Sequence, residues 1–138
     1  MLGLVTTLLG LVTTGIGTYF LFLRAPLLPE DIRYTGIDPS TLPPAFTAWL
    51  GIVFATWGGF IAGFGVVLLG AGIYFWSGRR HWLLFGIAAG VLIAFGRFLY
   101  SNVLLGSDFL WFIAVAAALA LIVAVALIVQ AIRRNRRP

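Results

Sequence analysis

Four long stretches of the chain are almost wholly apolar, and between them the pattern breaks into proline, charge and short turns. The first covers about 2–23 and the second about 46–76, both without a charged residue. The third, about 82–105, holds a single charge, Arg97, and the fourth runs over about 109–132. Each reaches the ~20 residues needed to cross a hydrocarbon core about 30 Å thick. Lipid offers no partner to a free backbone amide, so each stretch is predicted as a helix. The strict polar–apolar alternation of a membrane β-barrel is absent. The pattern therefore predicts an all-α integral membrane protein, a single domain over 1–138 built as a four-transmembrane-helix bundle. No Lys or Arg precedes the first stretch, it is long, and no A-x-A-like site follows it. It is expected to be a retained span and not a signal peptide.

Composition agrees with this class. Hydrophobic residues make up 62% of the 138 positions and charged residues 9%, against about 25% charged in a soluble domain. There is no cysteine, which removes disulfides, thiol redox chemistry and thiolate metal sites.

The nine basic residues are all Arg, a skew that suggests a GC-rich, bacterial genome. Their distribution predicts an orientation. Arg79, Arg80, Arg133, Arg134, Arg136 and Arg137 fall on the side of the two termini, while only Arg24 and Arg33 lie in connections on the other side. The positive-inside rule then puts both termini in the cytoplasm, across a bacterial inner membrane. Tyr74, Trp76 and Trp82 would mark the inner interface, and Trp49, Tyr100 and Trp111 the outer one. The basic tail over 133–138 is explained by topology and by anionic lipid; nucleic acid is not an expected partner.

The outer connection, 24–45, is the one sizeable polar segment, punctuated by Pro26, Pro29, Pro39, Pro43 and Pro44. Pro29 followed by Glu30 and Asp31 suits the first turn of a short interfacial helix, and Gly36 would end it. Leu27, Leu28, Ile32 and Ile37 keep the segment on the membrane surface or over the bundle. Ser40 or Thr41 is expected to cap the second span.

Small residues recur at helical spacing. Gly3, Thr7, Gly10, Thr14 and Gly17 form a heptad seam in the first span. Gly51, Ala55, Gly59 and Gly63 step by four in the second, where Gly58, Gly65 and Gly72 step by seven. Gly86, Gly90 and Ala94 continue the device in the third, and Ala117, Ala120 and Ala124 in the fourth. Such stripes let helix backbones approach closely where lipid gives no hydrophobic drive. They predict tight packing, within the chain or with a partner.

Arg97 is the one ionisable group well inside a span, and an unpaired Arg at mid-membrane costs at least about 2.5–3.5 kcal/mol. Either it snorkels outward or pairs with Asp108, Glu30 or Asp31, or it binds an anion such as a lipid headgroup or a partner's carboxylate. Arg97, Tyr100, Ser101, Asn102 and Asp108, with Glu30 and Asp31, form the candidate polar site. Ser107 or Asp108 also suits the cap of the fourth span. His81, the sole histidine, is expected at the solvated interface; pigment ligation by it is not expected. No embedded acid is present to relay protons, and no catalytic or metal cluster emerges. The preferred expectation is a non-catalytic accessory subunit, packed with itself or with other membrane subunits and with membrane lipids. A transporter or channel for a small or anionic solute, and a lipid- or isoprenoid-binding protein, are the alternatives.

Overall fold

The computed structural model describes residues 1–135; Arg136 and Arg137 of the basic tail lie outside the described residues. Four long helices, α1 (Leu2–Phe22), α3 (Pro44–Ser77), α4 (Arg80–Leu105) and α5 (Leu110–Asn135), carry the apolar stretches. All four are long and apolar enough to cross a membrane, and the described residues contain no strand. The chain is a multi-pass membrane protein with a helical-bundle fold. A short helix, α2 (Pro29–Thr35), and a 3-10 turn (Pro39–Thr41) sit in the long connection.

Helix ends follow local chemistry. Pro29 opens α2 where a missing N–H costs nothing, and the Asp31 carboxylate accepts from the Leu28 N–H at 2.8 Å. Gly36 closes the helix with its N–H donating to the Ile32 carbonyl at 2.8 Å. The tight turns after α3 and α4 are made by Gly78 (φ 64°) and Gly106 (φ 60°), left-handed positions that a Cβ would disfavour. Neither Ser40 nor Thr41 caps α3, contrary to expectation. Asp38 instead accepts from the Ser40 N–H at 2.9 Å and organises the 3-10 turn, while α3 starts on the Pro43–Pro44 pair. The Ser40 hydroxyl and amide hold the exposed Asp38 carboxyl below its ordinary value. Ahead of the fourth span, the Ser107 Oγ accepts from the Phe109 N–H at 3.3 Å in the turn that leads into α5.

The four long helices pack in sequence, α1 on α3, α3 on α4 and α4 on α5. Among the described residues α1 and α5 share no extended contact, so the bundle is an open row. Two seams on α3 explain why. Gly58, Gly65 and Gly72 face α1, while Gly59, Gly63 and Gly70 face α4. Gly58 and Gly59 are neighbours in sequence, and one residue turns a helix by about 100°. The row therefore bends at α3.

The α1–α3 seam is an antiparallel zipper of heptads. Thr7, Thr14 and Leu21 of α1 lie over Gly72, Gly65 and Gly58 of α3. Between them, Trp76, Leu69 and Ala62 of α3 lie over Gly3, Gly10 and Gly17. Every step of seven up one helix is matched by a step of seven down the other, so the register is fixed along the whole length. A Cβ at Gly10 would stand 2.7 Å from the Leu69 amide nitrogen, and one at Gly58 would stand 2.6 Å from that of Leu21. The Thr7 and Thr14 hydroxyls donate back to the Gly3 and Gly10 carbonyls, each at 2.8 Å, which satisfies them inside the apolar seam.

Between α3 and α4 the backbones meet glycine to glycine. A Cβ at Gly63 would stand 2.5 Å from the Gly90 carbonyl oxygen, and one at Gly86 would stand 2.7 Å from the Gly70 Cα. Gly51 differs, with no atom within 4 Å of its added Cβ; it is not part of a seam within this chain. On α5 the buried positions are Ile113, Ala120, Ala124 and Ala131, with Ala117 half-buried. Leu84 and Ala88 of α4 are buried off the α3-facing stripe, on the side that α5 covers.

Candidate functional site

The polar side chains of interest gather at the end of the row that carries the 24–43 connection and the Gly106 turn, here called the loop end. The chain does not bring the expected set together in one place. Asp31 pairs with Arg24 at 2.8 Å and not with Arg97. Glu30 and Asp108 are exposed. Asn102 donates from Nδ2 to the Phe98 carbonyl at 2.9 Å, within its own helix.

Ser101 faces α3. Its side chain is 1% exposed, and its hydroxyl oxygen lies 2.7 Å from that of Thr56. Thr56 also lies 2.8 Å from the Ile52 carbonyl. A hydroxyl has one proton, so with Thr56 donating to Ile52 the Ser101 hydroxyl is the donor in the pair. The pair fastens the loop-end half of α3 to α4. Thr56→Val is expected to cost about 0.6–1.7 kcal/mol, the scale of an interhelical hydrogen bond in a membrane. The double variant Thr56→Val/Ser101→Ala should cost less than the sum of the singles, read as unfolding midpoints in detergent. Additive losses would show that the two hydroxyls do not act as a pair.

Beside this pair lies a groove of about 200 Å³, lined by Ile52, Val53, Trp57, Phe98, Asn102 and Leu105 as well as the two hydroxyls. By helical spacing Leu84 shares its side of α4 with Phe98 and Asn102. The groove and α5 therefore lie on one face of the α3–α4 pair, and α1 on the other. A second groove, about 210 Å³ and almost wholly apolar, sits at the opposite end between Leu69, Ile73, Trp82 and Phe85.

Arg97 projects on the α3 side of α4. Its Cβ and Cγ stand against Gly59, where an added Cβ would come within 2.6 and 2.7 Å of them. Its guanidinium carbon lies 5.2 Å from the centre of the Tyr100 ring, within cation–π range. The Arg97 Nε is buried with no hydrogen-bond partner among the described residues. Tyr100 is half exposed, at 54%.

Arg24, which the sequence places in the outer connection, has a side chain that is only 6% exposed. Its guanidinium carbon lies 3.5 Å from the centre of the Phe54 ring and 5.4 Å from that of Phe20. Nη1 donates to the Ala25 and Pro26 carbonyls at 3.0 and 3.3 Å, and Nη2 to Asp31. One guanidinium thus ties the end of α1, the start of α2 and the face of α3 together. The available sequence signal was Phe20 one helical turn before Arg24; the Phe54 contact had no local signal.

His81 is half-buried, its ring 5.6 Å from Trp82 and 6.2 Å from Phe85. The described residues hold no group of three His, Cys, Asp or Glu side chains placed for a metal. Comparison with protein-family models, curated proteins and solved structures gives no match.

Proposed function

We propose that this protein is a non-catalytic structural or accessory component of a membrane assembly, packing with copies of itself or with another membrane subunit. The observation that carries this reading is the open row. Among the described residues each end helix, α1 and α5, packs extensively along one long helix only. The glycine seams do not themselves call for a partner, because Gly3, Gly10, Gly17, Gly59, Gly63, Gly86 and Gly90 are all covered within the chain. What favours a partner is the small-residue surface left over. Ala114 and Ala118, one turn apart on the outward side of α5, are exposed, as is Gly96 of α4. Small residues of this kind admit a second backbone. The arginine distribution favours a bacterial cytoplasmic membrane with both termini inside.

The absence of cysteine makes the test direct. Ala118→Cys, oxidised in native membranes, should form a disulfide-linked dimer of this chain. If the neighbour is another subunit, the chain should instead be captured by a short bifunctional cross-linker from that position. Migration only as a lone 14.9 kDa chain, with no co-purifying subunit in native mass spectrometry, would remove the reading.

A further inference from the structure

Arg97 lies closer to the membrane boundary than its place in the sequence suggests. Trp82 and Tyr100 are exposed rings near the two ends of α4. At 1.5 Å per residue they are separated by about 27 Å along the helix, close to a hydrocarbon core of about 30 Å. Arg97 is one turn inside Tyr100, and its guanidinium leans back over that ring. The charged end therefore reaches headgroup level at the loop end.

Among the described residues no carboxylate meets it. The sequence has four carboxylate side chains, Glu30, Asp31, Asp38 and Asp108. All lie within the described residues, and the ion pair that forms among those residues is Arg24–Asp31. A guanidinium beside hydrocarbon without a counter-ion is costly, and a planar fork of N–H donors matches a phosphate in bidentate fashion. Its stem is held in place by Gly59, its face by Tyr100. One turn further into the membrane on the same side of α4, Ile93 is exposed at 36%, an apolar flank suited to an acyl chain.

We propose that Arg97 and Tyr100 form a binding site for the phosphodiester of an anionic phospholipid in the loop-end leaflet. Arg97 supplies the charged fork, and the Tyr100 hydroxyl, which has no hydrogen-bond partner among the described residues, supplies a further donor. Asn102 and Asp108 take no part, since Asn102 bonds to its own helix and Asp108 is a carboxylate in an exposed turn. The site does not rest on the assembly reading; it stands whether the chain is a monomer or a subunit.

The test is native mass spectrometry of the whole protein released from nanodiscs of phosphatidylglycerol mixed with phosphatidylcholine. The wild-type chain should retain phosphatidylglycerol in preference to phosphatidylcholine. Arg97→Gln should lower the retained fraction about tenfold, the effect of losing a charge-assisted hydrogen bond. Tyr100→Phe, which keeps the ring and is expected to fold, should lower it by a smaller factor. Arg97→Lys keeps the charge without the fork and should fall between wild type and Arg97→Gln. Added inorganic phosphate should not displace the lipid. Unchanged retention in Arg97→Lys and Tyr100→Phe, or in a folded Arg97→Gln, would overturn the site. Displacement by inorganic phosphate would overturn the lipid as its occupant in favour of a free anion. Loss of a partner subunit from Arg97→Gln with lipid retention unchanged would overturn it in favour of a partner carboxylate.

Discussion

Gly17→Ala and Gly65→Ala are each expected to destabilise the helical row by about 1–3 kcal/mol, the cost of forcing extra volume into a packed interface. The added methyl has nowhere to go. At Gly17 it would stand 2.6 Å from the Ala62 Cα, and at Gly65 it would stand 2.5 Å from the Thr14 amide nitrogen. Both obstacles are backbone, so no rotamer change relieves them and α1 must move off α3. Leu at either position should separate the pair altogether. Gly15→Ala, two residues from Gly17, supplies the control, because nothing lies within 4 Å of its added Cβ. It should leave stability unchanged or raise it by up to about 1 kcal/mol through helix propensity. Unfolding in mixed micelles, followed by tryptophan fluorescence, compares the three. Equal effects at Gly15 and Gly17 would show that the α1–α3 seam is not the close contact described.

The second large effect is expected at the Arg24–Asp31 clamp. Asp31→Ala leaves a guanidinium that is 6% exposed without its counter-ion. Breaking a buried pair from one side costs about 3–5 kcal/mol; Asp31 is itself 31% exposed, so solvent screening reduces this to roughly 1–3 kcal/mol. Arg24→Met keeps an apolar stem against Phe54 and leaves only the more exposed carboxylate unpaired, so it should cost less. Hydrogen exchange locates the damage. The Leu28 amide, which donates to Asp31 at 2.8 Å, should lose protection with the rest of 24–36, while α3 and α4 keep theirs. Unaltered exchange at Leu28 would mean that the clamp does not order the connection.

The spans were legible because a bilayer imposes a length and a purity on any segment that crosses it. The second stretch, read as 46–76, is helical over Pro44–Ser77, and the first, read as 2–23, over Leu2–Phe22. The small residues were legible as stripes, since periodicity is a property of one helix. Their partners were not, because a stripe does not state what faces it. Gly51 continues the four-residue step of Gly59 and Gly63 yet meets nothing, as α3 runs on past the end of its zipper with α1. The polar cluster failed for a related reason. Arg97 and Ser101, four residues apart, share the α3 side of the helix but meet different partners along it, and rotation about the axis turns Asn102 away from both. Arg97 points toward Gly59 and Tyr100, Ser101 toward Thr56, and Asn102 into the groove on the α5 side. Arg24 was missed because its burial depends on Phe54, thirty positions away in sequence.

The open row is the claim on which the assembly reading rests, and one distance tests it. Spin labels at Leu11→Cys in α1 and Ile122→Cys in α5, both exposed positions near mid-span, can be attached singly because the chain has no cysteine. The doubly labelled protein is diluted in unlabelled chain and measured by pulsed dipolar spectroscopy in nanodiscs. With neighbouring axes about 8–10 Å apart and α1 and α5 on opposite faces of the α3–α4 pair, the row predicts a separation of roughly 20–27 Å between the two helices. A separation near 10 Å would place α1 against α5 in a closed bundle and contradict the account.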